Sequence, residues 1–209
     1  MEMIRIALVG TPGAGKTSVM RILKKSVCPS GYGVGFVDEA ATMLMRSNGE
    51  IRRLRETDPV AFQDMVARTH TLNEAAGVEK AKREGYDRFM QITDRALHDA
   101  YVYLNDEQRR GLKYPVGSIE ELNERYDAVL CFDYYGCGAS IKAGNDLRAE
   151  KALSDIKRVC ERSVEVYSTH KRFYLIPPYG DIYDKAARVA EIINEVAMER
   201  VFSVSKADN

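Results

Sequence analysis

Residues 4–18 read IRIALVGTPGAGKTS, and this stretch decides the fold. Its first part, residues 4–9, is a short run of mostly aliphatic residues that is typical of a buried strand. Gly10 ends the run, and the residues that follow Gly15 favour a helix. A strand that passes through a glycine-rich turn into a helix is the opening unit of an α/β fold.

The loop between this strand and helix has the spacing GxxxxGK(S/T). Glycines there let backbone N–H groups approach phosphate oxygens, and the helix N-terminus adds positive charge. We expect Lys16 to reach the β and γ phosphates and the Thr17 hydroxyl to be a Mg²⁺ ligand. The motif therefore predicts a site for ATP or GTP with Mg²⁺. The candidate binding residues are Gly10, Thr11, Pro12, Gly13, Ala14, Gly15, Lys16, Thr17 and Ser18.

Four more apolar runs predict strands, over residues 34–37, 89–93, 128–132 and 173–176. Periodicity and capping residues predict helices over 59–85, 96–104, 146–167 and 182–201, with a short one after Ser118. Strands that alternate with helices favour one parallel sheet covered on both faces. We therefore predict a three-layer α/β fold with a five-stranded parallel sheet. It would form a single domain over residues 1–209, with a helical lid near 138–165.

Four of the predicted strands end at Gly10, Glu39, Asp94 and Asp133. Ligands of parallel α/β sheets bind at the carboxyl ends of the strands, so we expect these positions to share one cleft. Asp94 ends the run FMQITD and is the candidate second Mg²⁺ ligand, with helix capping as the alternative. Arg95 could bind a phosphoryl group or form a salt bridge with a nearby acid, and both remain open.

Glu39 is the candidate catalytic base, because it follows the second predicted strand and lies across the sheet from the glycine-rich loop. A carboxylate there could accept the proton of an attacking hydroxyl. Asp38 competes for this role, and helix capping is the alternative.

Arg148 is the candidate lid residue, since it stands in the segment AGNDLRAE at the start of a charged, helix-prone stretch. A basic segment of this kind could close over the phosphates and stabilise charge in the transition state. A solvated helix face is the alternative.

Three other groups of residues could have a functional role, and each has a simpler interpretation. An arginine cluster could bind a phosphorylated acceptor, although an exposed basic surface is the simpler interpretation. Its members are Arg46, Arg52, Arg53 and Arg55. His98 and Asp99 are adjacent on a predicted helix, so their side chains diverge and do not form a catalytic dyad. Tyr134 and Tyr135 could line a base pocket or only pack.

The composition restricts the classes of partner. Lysine plus arginine equals aspartate plus glutamate, at 31 each, so no overall charge attracts nucleic acid or acidic lipid. No apolar run approaches the roughly 18 residues that cross a bilayer. The four cysteines form no CxxC pattern, and a reducing cytoplasm is the simplest setting. The expected partners are a nucleotide and a small-molecule acceptor, and the sequence permits a homodimer.

Five segments, taken in order, resemble the nicotinamide riboside kinase-like P-loop ATPases of the AAA-domain group. They are IRIALVGTPGAGKTS, VDEAA, ITDRALHDAYVYL, ERYDAVLCFD and AGNDLRAE, and together they span nearly the whole chain. The resemblance implies kinship with nucleoside and nucleotide kinases, a five-stranded parallel core and a helical lid. It also implies that Glu39 takes the family's acidic position, Asp94 and Arg95 its Asp-Arg pair, and Arg148 the lid arginine.

Three functions are compatible with these observations. The leading one is a small-molecule kinase that uses Lys16, Glu39, Asp94, Arg95 and Arg148 to transfer the γ-phosphoryl group of ATP to a nucleoside- or riboside-like acceptor. The second is a nucleotide-hydrolysing regulatory switch in which Glu39 positions water. The third is a binding module in which turnover is incidental. The segment 105–117, inserted before the fourth strand, departs from the family pattern.

Overall fold

Five strands form one sheet in which all four neighbouring pairs are parallel. The computed structural model describes residues 1–27, 29, 31–133 and 153–207. The strands are β1 (Glu2–Gly10), β2 (Gly33–Val37), β3 (Arg88–Asp94), β4 (Ala128–Phe132) and β5 (Phe173–Ile176), in the order β2-β3-β1-β4-β5. The predicted α/β fold with a five-stranded parallel sheet is therefore confirmed.

Helices connect the strands and cover both faces of the sheet. They are α1 (Lys16–Ser26), α2 (Ala40–Ser47), α3 (Gly49–Thr57), α4 (Pro59–Arg83), α5 (Asp99–Tyr103), α6 (Asp106–Arg110), α7 (Leu122–Arg125), α8 (Leu153–Tyr167) and α9 (Ile182–Ala207). The sequence interpretation located α1, α4 and α9, but it missed α2, α3 and α6. These three are short, and α3 and α6 have no buried residue to give them an apolar periodicity.

The two faces of β1 bury different helices. Ile4, Ile6 and Leu8 point to the face covered by α1 and α9. Ala7 and Val9 point to the opposite face and pack with residues of α5, α7 and α8. Because side chains alternate along a strand, β1 is apolar on both faces and lies in the middle of the sheet.

The long helix α4 begins as predicted. The Asp58 side chain accepts a hydrogen bond from the Ala61 backbone N–H, and Pro59 occupies the first turn, where its missing N–H costs nothing. The segment inserted before β4 packs on this helix, because Asp64 accepts hydrogen bonds from the backbone N–H groups of Lys113 and Tyr114.

The predicted helix over residues 96–104 is wrong in its first turn. Arg95 has a positive φ of 87°, which turns the chain away from helical geometry, and α5 begins only at Asp99. A positive φ is uncommon outside glycine, so no local pattern pointed to it. Before the short helix predicted after Ser118, the Ser118 N–H donates to the Glu121 carboxylate and the Glu121 N–H donates to the Ser118 hydroxyl oxygen, as in a capping box.

Part of the predicted lid lies outside the residues that the structure describes. Arg148 of the predicted lid lies there, and so do Tyr134 and Tyr135, which precede the lid, so the roles suggested for all three stay predictions. In the described segment that follows, α8 begins at Leu153. Within the described residues, no helix is long and apolar enough to cross a membrane.

Candidate functional site

The glycine-rich loop between β1 and α1 has a backbone that requires glycine. Gly10, Gly13 and Gly15 have φ values of 105°, 85° and 94°, all in the region that side chains disfavour. A Cβ atom on Gly10 would also lie 2.4 Å from the carbonyl oxygen of Phe132, which is too close for any side chain. The loop therefore takes a shape that other residues at these positions would prevent.

Lys16 is buried at the start of α1, with 5% of its surface exposed. Its Nζ donates hydrogen bonds to the carbonyl oxygens of Gly10, at 2.9 Å, and Thr11, at 2.8 Å. Burial and the nearby Arg95 guanidinium lower the pKa of Lys16 to about 8. An anion bound in the loop would raise this pKa again, so the lysine is placed to favour phosphate.

Thr17 and Asp94 are in contact at the carboxyl ends of the paired strands β1 and β3. The Thr17 hydroxyl donates to Oδ2 of Asp94 at 3.4 Å, because the parallel register sets Asp94 beside Leu8, just before the loop. Among the described residues, the buried Oδ1 of Asp94 has no hydrogen-bond partner. Burial raises the pKa of this carboxyl.

A magnesium ion fits these two side chains. Mg²⁺ in nucleotide sites takes one or two protein oxygens together with phosphate oxygens and water. The Thr17 hydroxyl and the Asp94 carboxylate offer such oxygens, and the buried Oδ1 of Asp94, which has no hydrogen-bond partner among the described residues, suits a metal ligand.

Arg95 joins the loop to two acids. Its Nη1 donates to the Gly10 carbonyl at 2.7 Å and lies 3.5 Å from Oδ2 of Asp99, while its Nε donates to Glu39 at 3.1 Å. The positive φ is held by a bond from the Arg95 N–H to Leu8. Strained backbone of this kind costs on the order of 1–3 kcal/mol and concentrates at functional sites.

Glu39 precedes α2 and has a hydrogen bond to each carboxylate oxygen. Oε1 accepts from Arg95, and Oε2 accepts from the Thr42 hydroxyl at 2.6 Å. Burial raises the pKa of Glu39, but Arg95 and the Thr42 bond outweigh it, so the pKa falls below its ordinary value. The group is ionised at neutral pH and can accept a hydrogen bond from a hydroxyl.

Two further buried groups support the loop and its arginine from the core. Asp99 accepts a hydrogen bond of 2.5 Å from the Tyr167 hydroxyl on α8 while it pairs with Arg95. Lys185 on α9 is buried, and its Nζ donates to the carbonyl oxygen of Ala14 at 3.0 Å. Sequence reasoning missed both, because the partners lie 68 and 171 residues apart.

A cleft of about 760 Å³ runs from the loop to the helices that follow β2. Its floor is formed by loop residues with Glu39, Asp94 and Arg95. Its far end lies among α2, α4 and the segment 95–104, where most lining residues are apolar. The cleft is therefore larger than a phosphate site alone, and it has both polar and apolar lining residues.

A comparison with protein families agrees with this geometry. The family model described as AAA domain matches residues 5–185, which is most of the chain and includes the loop, Glu39, Asp94 and Arg95. The chain belongs to this AAA domain family. It is a P-loop protein of the nucleotide-binding and hydrolysing kind. No curated protein matches the chain.

Most of the residues predicted for the nucleotide site line the cleft of this AAA domain. Glu39, Asp94 and Arg95 line it together with Lys16 and Thr17. For Arg95, the salt-bridge alternative is present in the structure, while contact with a phosphoryl group stays a prediction. The roles of the other residues in catalysis and metal binding also stay predictions.

Asp133 does not line the described part of the cleft, contrary to expectation. Its backbone N–H donates to Ile176, and its carboxylate accepts from the Cys160 thiol, so it is engaged next to β5. His98 and Asp99 diverge as predicted, because His98 contacts the Ser118 carbonyl instead.

Charged residues that sequence reasoning weighed lightly also reach the cleft of this AAA domain. Arg46 and Arg55 of the arginine cluster line it from α2 and α3. Arg158 of α8 lines it from the opposite side and was missed, although it follows the predicted lid arginine by ten residues. That α2, α3 and α8 all border the same cleft can be seen only in the three-dimensional structure.

Proposed function

We propose that this AAA domain is a small-molecule kinase. It transfers the γ-phosphoryl group of ATP, bound with Mg²⁺, to a hydroxyl of a nucleoside- or riboside-like acceptor. The observation that carries the proposal is the extent of the cleft, because its lining includes the glycine-rich loop, Glu39 and mostly apolar residues of α2, α4 and the segment 95–104. A hydrolase needs room only for water at that place.

The residues of the loop would bind and orient the phosphates. Lys16 would exchange its two backbone carbonyl partners for phosphate oxygens, and the N-terminus of α1 would add its positive end. Thr17 and Asp94 would hold Mg²⁺, which neutralises charge on the transferred group. Most of the catalysis in such transfers is positioning and electrostatic stabilisation.

Glu39 would orient the acceptor hydroxyl. Its low pKa keeps it ionised, so it can accept the hydroxyl hydrogen bond while the phosphoryl group is transferred. Arg95 holds the Glu39 carboxylate in place through its Nε and would add positive charge beside the phosphates. This division of roles requires the two side chains to act as a pair.

Mass spectrometry of products tests the proposal. The chain is incubated with ATP, Mg²⁺ and pooled nucleosides and ribosides, beside Lys16→Ala and the control Lys25→Ala, which removes an exposed lysine of the same helix. We expect one pool member to gain a phosphoryl group with the wild type and with Lys25→Ala, but not with Lys16→Ala. Release of ADP and free phosphate without a phosphorylated acceptor would contradict the kinase and favour a hydrolysing switch.

A further inference from the structure

An amide side chain without a partner lies in the wall of the cleft. Gln63 of α4 lines the cleft, and only 8% of its surface is exposed. Within the part of the chain that the structure describes, no hydrogen bond joins its amide to another residue. Neither amide atom is among the fully buried atoms that lack a partner, so the amide reaches the open cleft although most of the residue is buried.

A second buried glutamine shows how the same fold treats an amide that is structural. Gln91 on β3 is 0% exposed, and its Nε2 donates to the Glu74 carbonyl at 2.9 Å. Its Oε1 accepts from Nε of Arg5 at 3.1 Å. Both ends of the Gln91 amide are thus used within the protein. The two ends of the Gln63 amide are left for something that enters the cleft.

The surroundings of Gln63 favour a flat ring. Helix α4 presents one face to the cleft, since its lining residues recur every three or four positions. They are Pro59, Phe62, Gln63, Val66, Ala67 and His70. Leu97, Tyr103 and Leu104 also line the cleft, and Leu97 and Leu104 pack in one apolar cluster with Ala67 of α4. Apolar and aromatic lining residues beside an amide are a common setting for a planar ring, whose faces contact the apolar groups while its edge forms hydrogen bonds.

We infer that Gln63 binds the edge of a planar heteroaromatic ring in the acceptor, one that carries a hydrogen-bond donor and acceptor side by side. The amide offers an N–H donor and a carbonyl acceptor in one plane, which suits a paired contact of this kind. Nucleobases with an exocyclic amino group have such an edge, and so do rings with a carboxamide. The inference rests on the proposed function, because it assigns the ring to the acceptor.

Binding measurements with matched ligands test the inference. They also distinguish a nucleobase with an exocyclic amino group from a ring with a carboxamide. The full chain, with Mg²⁺ and a non-hydrolysable ATP analogue, is titrated with adenosine against purine riboside, cytidine against its analogue without the amino group, and nicotinamide riboside against pyridine riboside. In each pair the second ligand lacks the donor–acceptor edge. We expect one parent to bind about ten- to a hundredfold more tightly than its analogue. The pair that shows the preference identifies the ring.

The variant Gln63→Leu should reduce that preference to within about twofold, because leucine can make no hydrogen bond with the edge. A preference that persists in Gln63→Leu would overturn the inference, and so would the absence of any preference in the wild type. Neither result depends on phosphoryl transfer. If the phosphoryl group is transferred but no ligand with the donor–acceptor edge is preferred, only the role of Gln63 is refuted. If such a ligand is preferred but no phosphoryl group is transferred, only the kinase proposal is refuted.

Thermal unfolding distinguishes a ligand-binding role of Gln63 from a structural one. If Gln63 stabilised the fold, its replacement would lower the Tm. Gln63→Leu should leave the Tm unchanged or raise it, because it breaks no hydrogen bond with any residue that the structure describes. The matched variant Gln91→Leu should lower the Tm, since it strips partners from Arg5 and Glu74. A loss of Tm in Gln63→Leu as large as that in Gln91→Leu would overturn the inference.

Discussion

Two buried carboxylates of this AAA domain, Glu74 and Asp94, have opposite surroundings. Each oxygen of Glu74 has partners: Oε2 accepts from Arg125, and Oε1 accepts from the Tyr126 hydroxyl at 3.2 Å and lies 3.1 Å from Nε2 of His70. Asp94 has one long bond from Thr17, and its Oδ1 has no partner within the described residues.

The pKa values of the two groups follow this difference. Burial raises the pKa of Glu74, but His70, Arg5 and Arg125 together lower it to about 2. For Asp94 burial prevails, and its pKa is raised. The fold thus provides partners for both oxygens of Glu74, but only one oxygen of Asp94 has a partner among the described residues. In the proposed function, the acid with a partner for each oxygen supports the structure, whereas Asp94 would bind Mg²⁺ through its unpaired oxygen.

The largest expected effect follows from removing the charge of Asp94. Asp94→Asn should lower nucleotide turnover by on the order of a thousandfold, because a ligand of the proposed Mg²⁺ ion is lost. The free energy of unfolding should stay the same or rise, since the raised pKa means that the fold disfavours the charged form. Steady-state kinetics and urea unfolding at pH 7 measure the two quantities. A variant that keeps its turnover would remove Asp94 from the site.

Glu74→Gln should show the reverse pattern. The fall of the Glu74 pKa from 4.5 to about 2 corresponds to on the order of 3 kcal/mol of stability at pH 7. Because the folded-state pKa lies below the unfolded one, this contribution is present above about pH 4.5 and is lost as the pH falls toward 2.

Urea unfolding of the wild type and Glu74→Gln at pH 7 and pH 3 should therefore show a difference that shrinks in acid. Nucleotide affinity of the folded variant should stay within about twofold of the wild type, because Glu74 does not line the cleft. A difference in stability that is equal at both pH values would mean that the ion pairs with Arg125 and Arg5 contribute little.

Arg95 lies on the functional side of the comparison, and Arg95→Lys should separate its charge from its shape. Lysine keeps the positive charge but cannot contact Gly10, Glu39 and Asp99 at once. We expect turnover to fall about tenfold and the free energy of unfolding to fall by roughly 1–2 kcal/mol. Unchanged kinetics, measured at saturating ATP, would show that charge alone suffices.

The smallest effect is expected at Lys185, which contacts the loop from behind. Lys185→Met removes the hydrogen bond to the Ala14 carbonyl, so the loop should hold its shape less well and nucleotide affinity should fall about fivefold. The KM for the acceptor should not change. Titration calorimetry checks this, with Lys185→Arg as the variant expected to recover part of the affinity. A change confined to the acceptor KM would refute the role.

The sequence predicted the parts of the fold that are locally encoded. The loop, all five strands and the capped start of α4 depend on short patterns of glycine, apolar residues and Asp58-Pro59, so their positions agree with the structure. The strand β4 even has the predicted bounds. The turn at Arg95 has no such pattern, because its positive φ is held by contacts with Leu8 and with acids from other elements.

Of the candidate site, the sequence predicted only the glycine-rich loop and the residues at or just after the ends of the strands, such as Asp94 and Glu39. His70 lies four residues from Glu74 on the same helix, but Arg125 and Tyr126 lie 51 and 52 residues away, so spacing alone does not reveal that Glu74 is the centre of a buried network. The lone amide of Gln63 is equally invisible in the sequence, because having no partner is a property of the packed cleft. Whether a buried polar atom has a hydrogen-bond partner can be seen only in the fold.

The Mg²⁺ dependence of nucleotide binding tests the contrast between the two acids most directly. Calorimetric titration of the wild type, Asp94→Asn and Glu74→Gln with a non-hydrolysable ATP analogue, with and without Mg²⁺, measures it. We predict that Mg²⁺ strengthens binding to the wild type and to Glu74→Gln, and that this gain disappears in Asp94→Asn. If Asp94→Asn keeps the full gain, the open oxygen of Asp94 is not a metal position and the account is contradicted.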